Sequence, residues 1–92
     1  MGIEVQKLDS NLAQQFHIRD NKGVVVVKVE PGKPADEAGI RPGDLIMEVN
    51  GAVVGTVKEY REALAKVKKD TVARLLIKRL GHTLYLTLEN PK

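Results

Sequence analysis

The sequence predicts an α+β domain: a partly open β-barrel or sandwich of about six strands, with two substantial helices covering its ends. Three observations predict it. The chain has 92 residues, enough for one core and too few for two, since domains usually run to about 100–150 residues. Six short runs, alternating or continuous in apolar character and bounded by turn residues, read as strands. Two segments carry apolar residues at helical spacing behind a capping residue. The composition, 42% hydrophobic and 29% charged, is that of an ordinary globular domain and fits neither a disordered tail nor a membrane protein.

The elements follow in order. Ile3, Val5 and Lys7 alternate with Glu4, Gln6 and Leu8, giving a strand over Ile3–Leu8. Asp9 or Ser10 then caps a short helix, and its Leu12, Ala13 and Phe16 point at a core. After the turn cluster Asp20-Asn21-Lys22-Gly23 comes the β-branched run Val24–Val29, broken by Lys28, which suits a central strand buried on both faces for most of its length. Pro34 opens a short helix through Ala38, and Gly39 stands where a left-handed cap is wanted. Pro42-Gly43-Asp44 turns the chain into a strand through Leu45, Ile46, Met47 and Val49. Asn50-Gly51 closes a tight hairpin onto Val53 and Val54. Thr56 and Glu59 form a capping box for an amphipathic helix reaching about Lys68, with Val57, Tyr60, Ala63, Leu64 and Val67 on one stripe. Lys66, Lys68 and Lys69 then fall where the helix dipole favours positive charge. Val72–Lys78 and Thr83–Leu88 form a closing hairpin about Leu80-Gly81-His82.

The inventory offers little to catalysis. Ser10 is the one serine and His17 and His82 are the only histidines; Ser10 reads as a helix cap, and no Gly-x-Ser-x-Gly elbow surrounds it. The histidines stand 65 positions apart and cysteine is absent, so neither a metal site nor thiol chemistry nor a disulfide is expected. Asp36-Glu37 and the pair Glu59 and Glu62 read as solvated helix faces. No phosphate-cradling glycine loop is present, and no cofactor is expected. The net charge of +3 is mild, and Phe16, Tyr60 and Tyr85 have no spacing of a stacking platform, so no nucleic-acid partner is expected. No apolar run approaches the ~20 residues of a membrane span, and no secretion signal opens the chain. Taken by itself, the chain reads as a binding module without catalytic residues.

The stretch Glu30-Pro31-Gly32-Lys33-Pro34-Ala35-Asp36-Glu37-Ala38-Gly39-Ile40-Arg41-Pro42-Gly43-Asp44-Leu45-Ile46-Met47-Glu48-Val49-Asn50-Gly51 resembles the most recognisable segment of bacterial PDZ domains. The resemblance extends over essentially the whole chain. Leu12-Ala13-x-x-Phe16, Tyr60-Arg61-x-Ala63-Leu64 and termination soon after the last hairpin make it similar to the PDZ domains of HtrA/Do-type periplasmic serine proteases, particularly a C-terminal copy. Residues 1–92 would then be a single PDZ domain, a fragment of a longer exported protein, in the periplasm. In that family the topology is circularly permuted, so the strand first in animal PDZ domains closes the sheet at the end, here Thr83–Leu88.

The resemblance implies a mechanism. PDZ domains bind C-terminal peptides by adding the ligand as a strand to an exposed sheet edge. That edge would be Ile3–Leu8, with the Thr56–Lys68 helix as the other wall. Met1-Gly2-Ile3 matches the last three places of the family's Gly-Leu-Gly-Phe-type loop, whose first place has no counterpart here, and its backbone N–H groups would hold the ligand carboxylate. The groove would comprise Glu4, Val5, Gln6, Val57, Arg61 and Leu64, with Ile3, Val5 and Leu64 around the last ligand side chain. Val57 stands where family members preferring Ser or Thr two places before the ligand's end have His, which implies an apolar preference there. Arg61 would contact the ligand backbone or an acidic side chain. From the residues alone, Val5 and Leu64 fit core packing equally well, Arg61 fits a solvated surface, and Tyr60 fits the core better than the groove.

The partners implied are C-terminal or unfolded polypeptide segments with apolar ends and the other domains of a parent protease, with no membrane insertion by this chain. Two alternatives stand beside this reading: a structural PDZ domain making inter-domain or oligomer contacts, and a PDZ domain of another bacterial membrane-associated protease.

Overall fold

The structure, a computed structural model, describes residues 2–68 and 71–89. Its elements are β1 (Ile3–Lys7), α1 (Ser10–Gln15), β2 (Val24–Val29), α2 (Pro34–Glu37), β3 (Leu45–Val49), β4 (Ala52–Val53), α3 (Val57–Ala65), β5 (Val72–Arg79) and β6 (His82–Glu89). The six strands form one antiparallel sheet in the order β1-β2-β3-β5-β6, with β4 paired to β3. β1 and β6 are its two edges, so the barrel stays open. The expected strands are all present. The helices number three among the described residues, the third being the single turn of α2.

Local chemistry explains most boundaries. Asp9, rather than Ser10, caps α1, its carboxylate accepting from the Leu12 N–H at 2.8 Å. Thr56 Oγ1 accepts from the Glu59 N–H at 3.1 Å, while Glu59 Oε1 reaches one residue beyond the cap to accept from the Gly55 N–H at 2.8 Å. Asn50 and Gly51 both take positive φ, as do Leu80 and Gly81, the backbone of two-residue hairpin turns that match the sheet's twist. The strand expected to reach Leu8 ends at Lys7; Leu8 keeps one bond, its N–H to the Gly23 carbonyl at 3.2 Å, while its side chain is buried.

One expectation is corrected at α3. The helix predicted to reach about Lys68 ends at Ala65, because the Lys66 and Val67 N–H groups bond the carbonyls of Ala63 and Leu64, three-residue spacings that tighten and stop the last turn. Lys66 is therefore the C-cap, and no basic residue sits in the final turn to meet the dipole. Lys69 lies outside the described residues.

The sheet buries apolar residues on both faces. On one, Val24, Val26, Ile46, Leu75, Ile77 and Leu88 pack with Tyr60 of α3 and Ala35 of α2. On the other, Val25, Leu45 and Leu8 are covered by Leu12, Ala13 and Phe16 of the α1 segment. Val24–Val26 are fully buried, whereas Val27 and Val29 are half-buried and Lys28 exposed, so the both-face burial expected of this strand holds for its first half.

One ion pair joins the loop before β3 to the end of β5. Asp44 is 1% exposed; Arg79 donates Nε to its Oδ1 at 2.8 Å and Nη2 to its Oδ2 at 2.7 Å, and the Arg41 N–H donates to Oδ2 at 2.9 Å. Arg79 Nη2 also donates to the Gly39 carbonyl at 2.9 Å. The Asp44 hydrogen bond raises the Arg79 pKa, which holds the guanidinium in its charged form. Replacing Asp44 with Ala strands the guanidinium and the Arg41 N–H; since the Arg79 side chain keeps 31% exposure, urea unfolding of D44A should show a loss of about 2–3 kcal/mol rather than the larger cost of a fully buried pair.

Tyr60 makes the stability depend on pH. Burial pushes its phenol up to about 12 from the ordinary value of 10.0, so the folded state holds its proton more tightly than the unfolded chain. The corresponding stability is complete below pH 10.0 and is lost as pH rises toward about 12, amounting to roughly 2–3 kcal/mol across that window. Unfolding free energy measured against pH should fall more steeply in wild type than in Tyr60→Phe, which lacks the titrating group.

Candidate functional site

β1 pairs with β2 on one side only among the described residues. Its main-chain groups point alternately to the two sides. The Gly2 carbonyl accepts from the Glu30 N–H at 2.7 Å and the Leu8 N–H donates to Gly23, so the even-numbered positions bond toward β2. Those of Ile3, Val5 and Lys7 consequently face the open edge. The register is antiparallel and slips between Glu4 and Val5, where Lys28 and Val26 are the successive partners and Val27 is the extra residue.

α3 runs beside this edge and packs against β1. Ile3 and Val5 from the strand, with Val57, Ala63 and Leu64 from the helix, are half-buried and rest on the main core cluster. The result is an apolar trough with a hydrogen-bonding edge. Arg61 is exposed on α3, one turn after Val57, and makes no ion pair among the described residues. Glu4 and Gln6 are exposed and, by the alternation of the strand, lie on the opposite face from Ile3 and Val5. The predicted site residues thus divide: Ile3, Val5, Val57 and Leu64 come together in the trough, Arg61 stands at its helical wall, and Glu4 and Gln6 turn away from it. Tyr60 belongs to the core, at 4% exposure.

At the head of β1, Gly2 has φ +81°, and a Cβ there would stand 2.3 Å from Lys33 Cβ and 2.8 Å from its Cγ. Both the backbone conformation and the approach of the Glu30–Lys33 turn therefore demand glycine. Met1 lies outside the described residues. Glu30 and Lys33 hold the head of the strand, a role the sequence reading did not assign them. The pairing of Ile3 with Val29 carries the signal, because it sets the turn after β2 opposite Gly2. Two cavities lie away from the trough. One, of about 400 Å³, sits beside the Asp20–Lys78 ion pair; another, of about 580 Å³, lies between α2 and the ends of β5 and β6. Among the described residues no cluster of His, Cys, Asp or Glu is arranged to hold a metal ion, and no helix is long and apolar enough to cross a membrane.

An open antiparallel sheet with an edge strand laid against an amphipathic helix is the arrangement of a peptide-recognition module. The chain matches the PDZ domain family over residues 1–89 and belongs to it. Its curated relatives narrow the kinship to DegP-like proteases. It is 29% identical over 89 residues to a probable periplasmic serine endoprotease DegP-like of Hahella chejuensis, and 38% identical over 73 residues to the protein of that name in Chlamydia muridarum. Those matches cover 97% and 78% of this chain but only 19% and 15% of the relatives, so the chain spans less than a fifth of their length. The compartment the resemblance implied, the periplasm, is the one these relatives carry in their names.

Solved structures agree with the fold. The HtrA3 PDZ domain bound to a phage-derived ligand, FGRWV, superposes with a TM-score of 0.82 at 25% identity, covering 97% of this chain and 81% of that one. The HtrA-type protease AlgW with a decapeptide gives 0.86 at 26% identity, covering 96% of this chain and 27% of that one. A PDZ domain is not itself a catalytic unit, in keeping with the sequence inventory.

Replacing Gly2 with Ala should cost about 1–3 kcal/mol through the left-handed φ and the clash with Lys33. Thermal unfolding would register the loss, and the Glu30 amide resonance should move with the displaced turn.

Proposed function

We propose that this PDZ domain binds the apolar C-termini of polypeptides by adding them as a strand to β1, with α3 as the second wall. The observation that carries the reading is the trough itself. Outward main-chain groups at Ile3, Val5 and Lys7 lie beside the half-buried side chains of Ile3, Val5, Val57 and Leu64, so hydrogen bonding and apolar contact are offered along one line.

In this reading the ligand carboxylate lies at the head of β1, against backbone N–H groups of Met1, Gly2 and Ile3, a nest that the positive φ of Gly2 permits. Ile3, Val5 and Leu64 receive the last ligand side chain. Val57 has no hydrogen-bond donor and selects an apolar residue two places before the end. Arg61, with no ion pair of its own among the described residues, meets an acidic side chain or the ligand backbone from the helix. Glu4 and Gln6 lie on the far face of the strand and contact ligand side chains that alternate away from the trough. Residues 1–92 form one non-catalytic domain of a longer HtrA/Do-type serine protease, presenting substrates or regulators with apolar ends to it. The peptides named with HtrA3 and AlgW support a peptide ligand for the same fold.

A labelled peptide with an apolar C-terminus should shift the amide resonances of Ile3–Lys7 and Val57–Leu64, and its C-terminally amidated form should bind at least about tenfold more weakly, as loss of a charge-assisted contact requires. Equal affinity of the two forms would remove the carboxylate-binding role. Val57→His should raise the relative affinity for peptides with Thr two places before the end.

A further inference from the structure

The second edge of the sheet has no part in the groove. β6 pairs only with β5 among the described residues. It is eight residues long and continuous in register with β5. Between His82 and Glu89 it carries no charge, no proline and no bulge, the devices by which edge strands ordinarily avoid pairing with other chains. Its residues Thr83-Leu84-Tyr85-Leu86-Thr87 read the same in both directions about Tyr85.

The hydrogen-bond phase agrees with that symmetry. The two-residue Leu80-Gly81 turn makes Arg79 and His82 the hydrogen-bonded pair that flanks it, and the pairs then alternate along the hairpin. Lys78 with Thr83, Leu76 with Tyr85 and Arg74 with Thr87 are non-bonded pairs, so the main-chain groups of Thr83, Tyr85 and Thr87 point outward.

We infer that β6 pairs antiparallel with β6 of a second copy of this chain about a two-fold axis at Tyr85. Tyr85 then exchanges both main-chain bonds with its own counterpart, and Thr83 does so with Thr87 of the second copy. Each half-buried Leu84 lies across from Leu86 of the second copy, which extends the main core cluster across the joint. On the other face the two Tyr85 side chains, each 64% exposed and each under an Arg74 guanidinium 5.5 Å from its ring centre, meet at the axis. A contact built on one strand is small, so the association is weak and concentration-dependent.

Sedimentation of the 92-residue chain from about 10 μM to about 1 mM should show reversible dimer formation. Thr83→Lys with Thr87→Lys sets two like-charged pairs opposite each other across the axis and should weaken the dimer at least about tenfold. Thr83→Lys with Thr87→Glu sets opposite charges there and should restore it. Circular dichroism at low concentration checks that each variant is folded. A wild type that stays monomeric throughout, or two variants that associate equally, would overturn the proposal. Peptide binding to β1 is unaffected in either case, so the outcome is separable from the groove.

Discussion

The buried carboxylate of Asp44 is the constraint on which the rest of the sheet depends. β2 and β3 pair through only Val24 with Ile46 and Val25 with Leu45, which makes this the weakest join in the path from β1 to β6. The Gly43-Asp44 backbone extends it, with the Val26 N–H donating to the Asp44 carbonyl at 2.9 Å and the Gly43 N–H to the Val26 carbonyl at 2.7 Å. The carboxylate then clamps Arg79 at the end of β5. Three strands are thus fixed at one residue. The groove edge inherits its position from them, because among the described residues β1 reaches the remainder of the sheet only through β2. Burying a charge here is tolerable because every contact is charge-assisted and the carboxylate accepts three hydrogen bonds.

The same loop serves the opposite face. Gly43 has φ +94°, and a Cβ on it would stand 2.8 Å from Phe16 Cδ1. The Phe16 ring therefore lies directly on the backbone that presents Asp44. α1 carries no fully buried residue of its own, yet through Phe16, Leu12 and Ala13 it seals Val25 and Leu45 from water. Burial on this face and the clamp across the sheet end support each other through adjacent residues.

How much of this was legible in the sequence follows from the range of each interaction. Asp9, Thr56 with Glu59, and Asn50-Gly51 act within three or four residues, and their signals are local. The end of α3 was not legible, since Lys66 and Lys68 are good helix formers, Val67 continues the apolar stripe and no glycine or proline breaks the pattern nearby. Arg79 and Asp44 are 35 positions apart, and no periodicity joins them. Leu80 takes φ +49° although leucine has no preference for it; the tight β5–β6 pairing imposes the turn. At the site, the apolar stripe of α3 identified Val57 and Leu64, but the same stripe contains Tyr60 and Val67, which are buried. A hydrophobic pattern marks the inward side of a helix and cannot say where the core stops and the groove begins. The place of β1 at the sheet edge decides that, and sheet order is a long-range property. The resemblance to PDZ domains supplied what the spacing lacked.

The half-burial of Ile3, Val5, Val57 and Leu64 carries its own physical argument. An edge strand with apolar side chains is ordinarily an invitation to indiscriminate pairing. Here α3 packs against the strand, and its Val57 and Leu64 rest with Ile3 and Val5 on the main core cluster, so the apolar side of the edge is partly covered. Gly2, at φ +81° and close against Lys33, ties the head of the strand to the turn after β2 through the Glu30 N–H on its carbonyl. An edge partly covered along one side and tied at its head is less open to a second sheet than a bare edge strand would be.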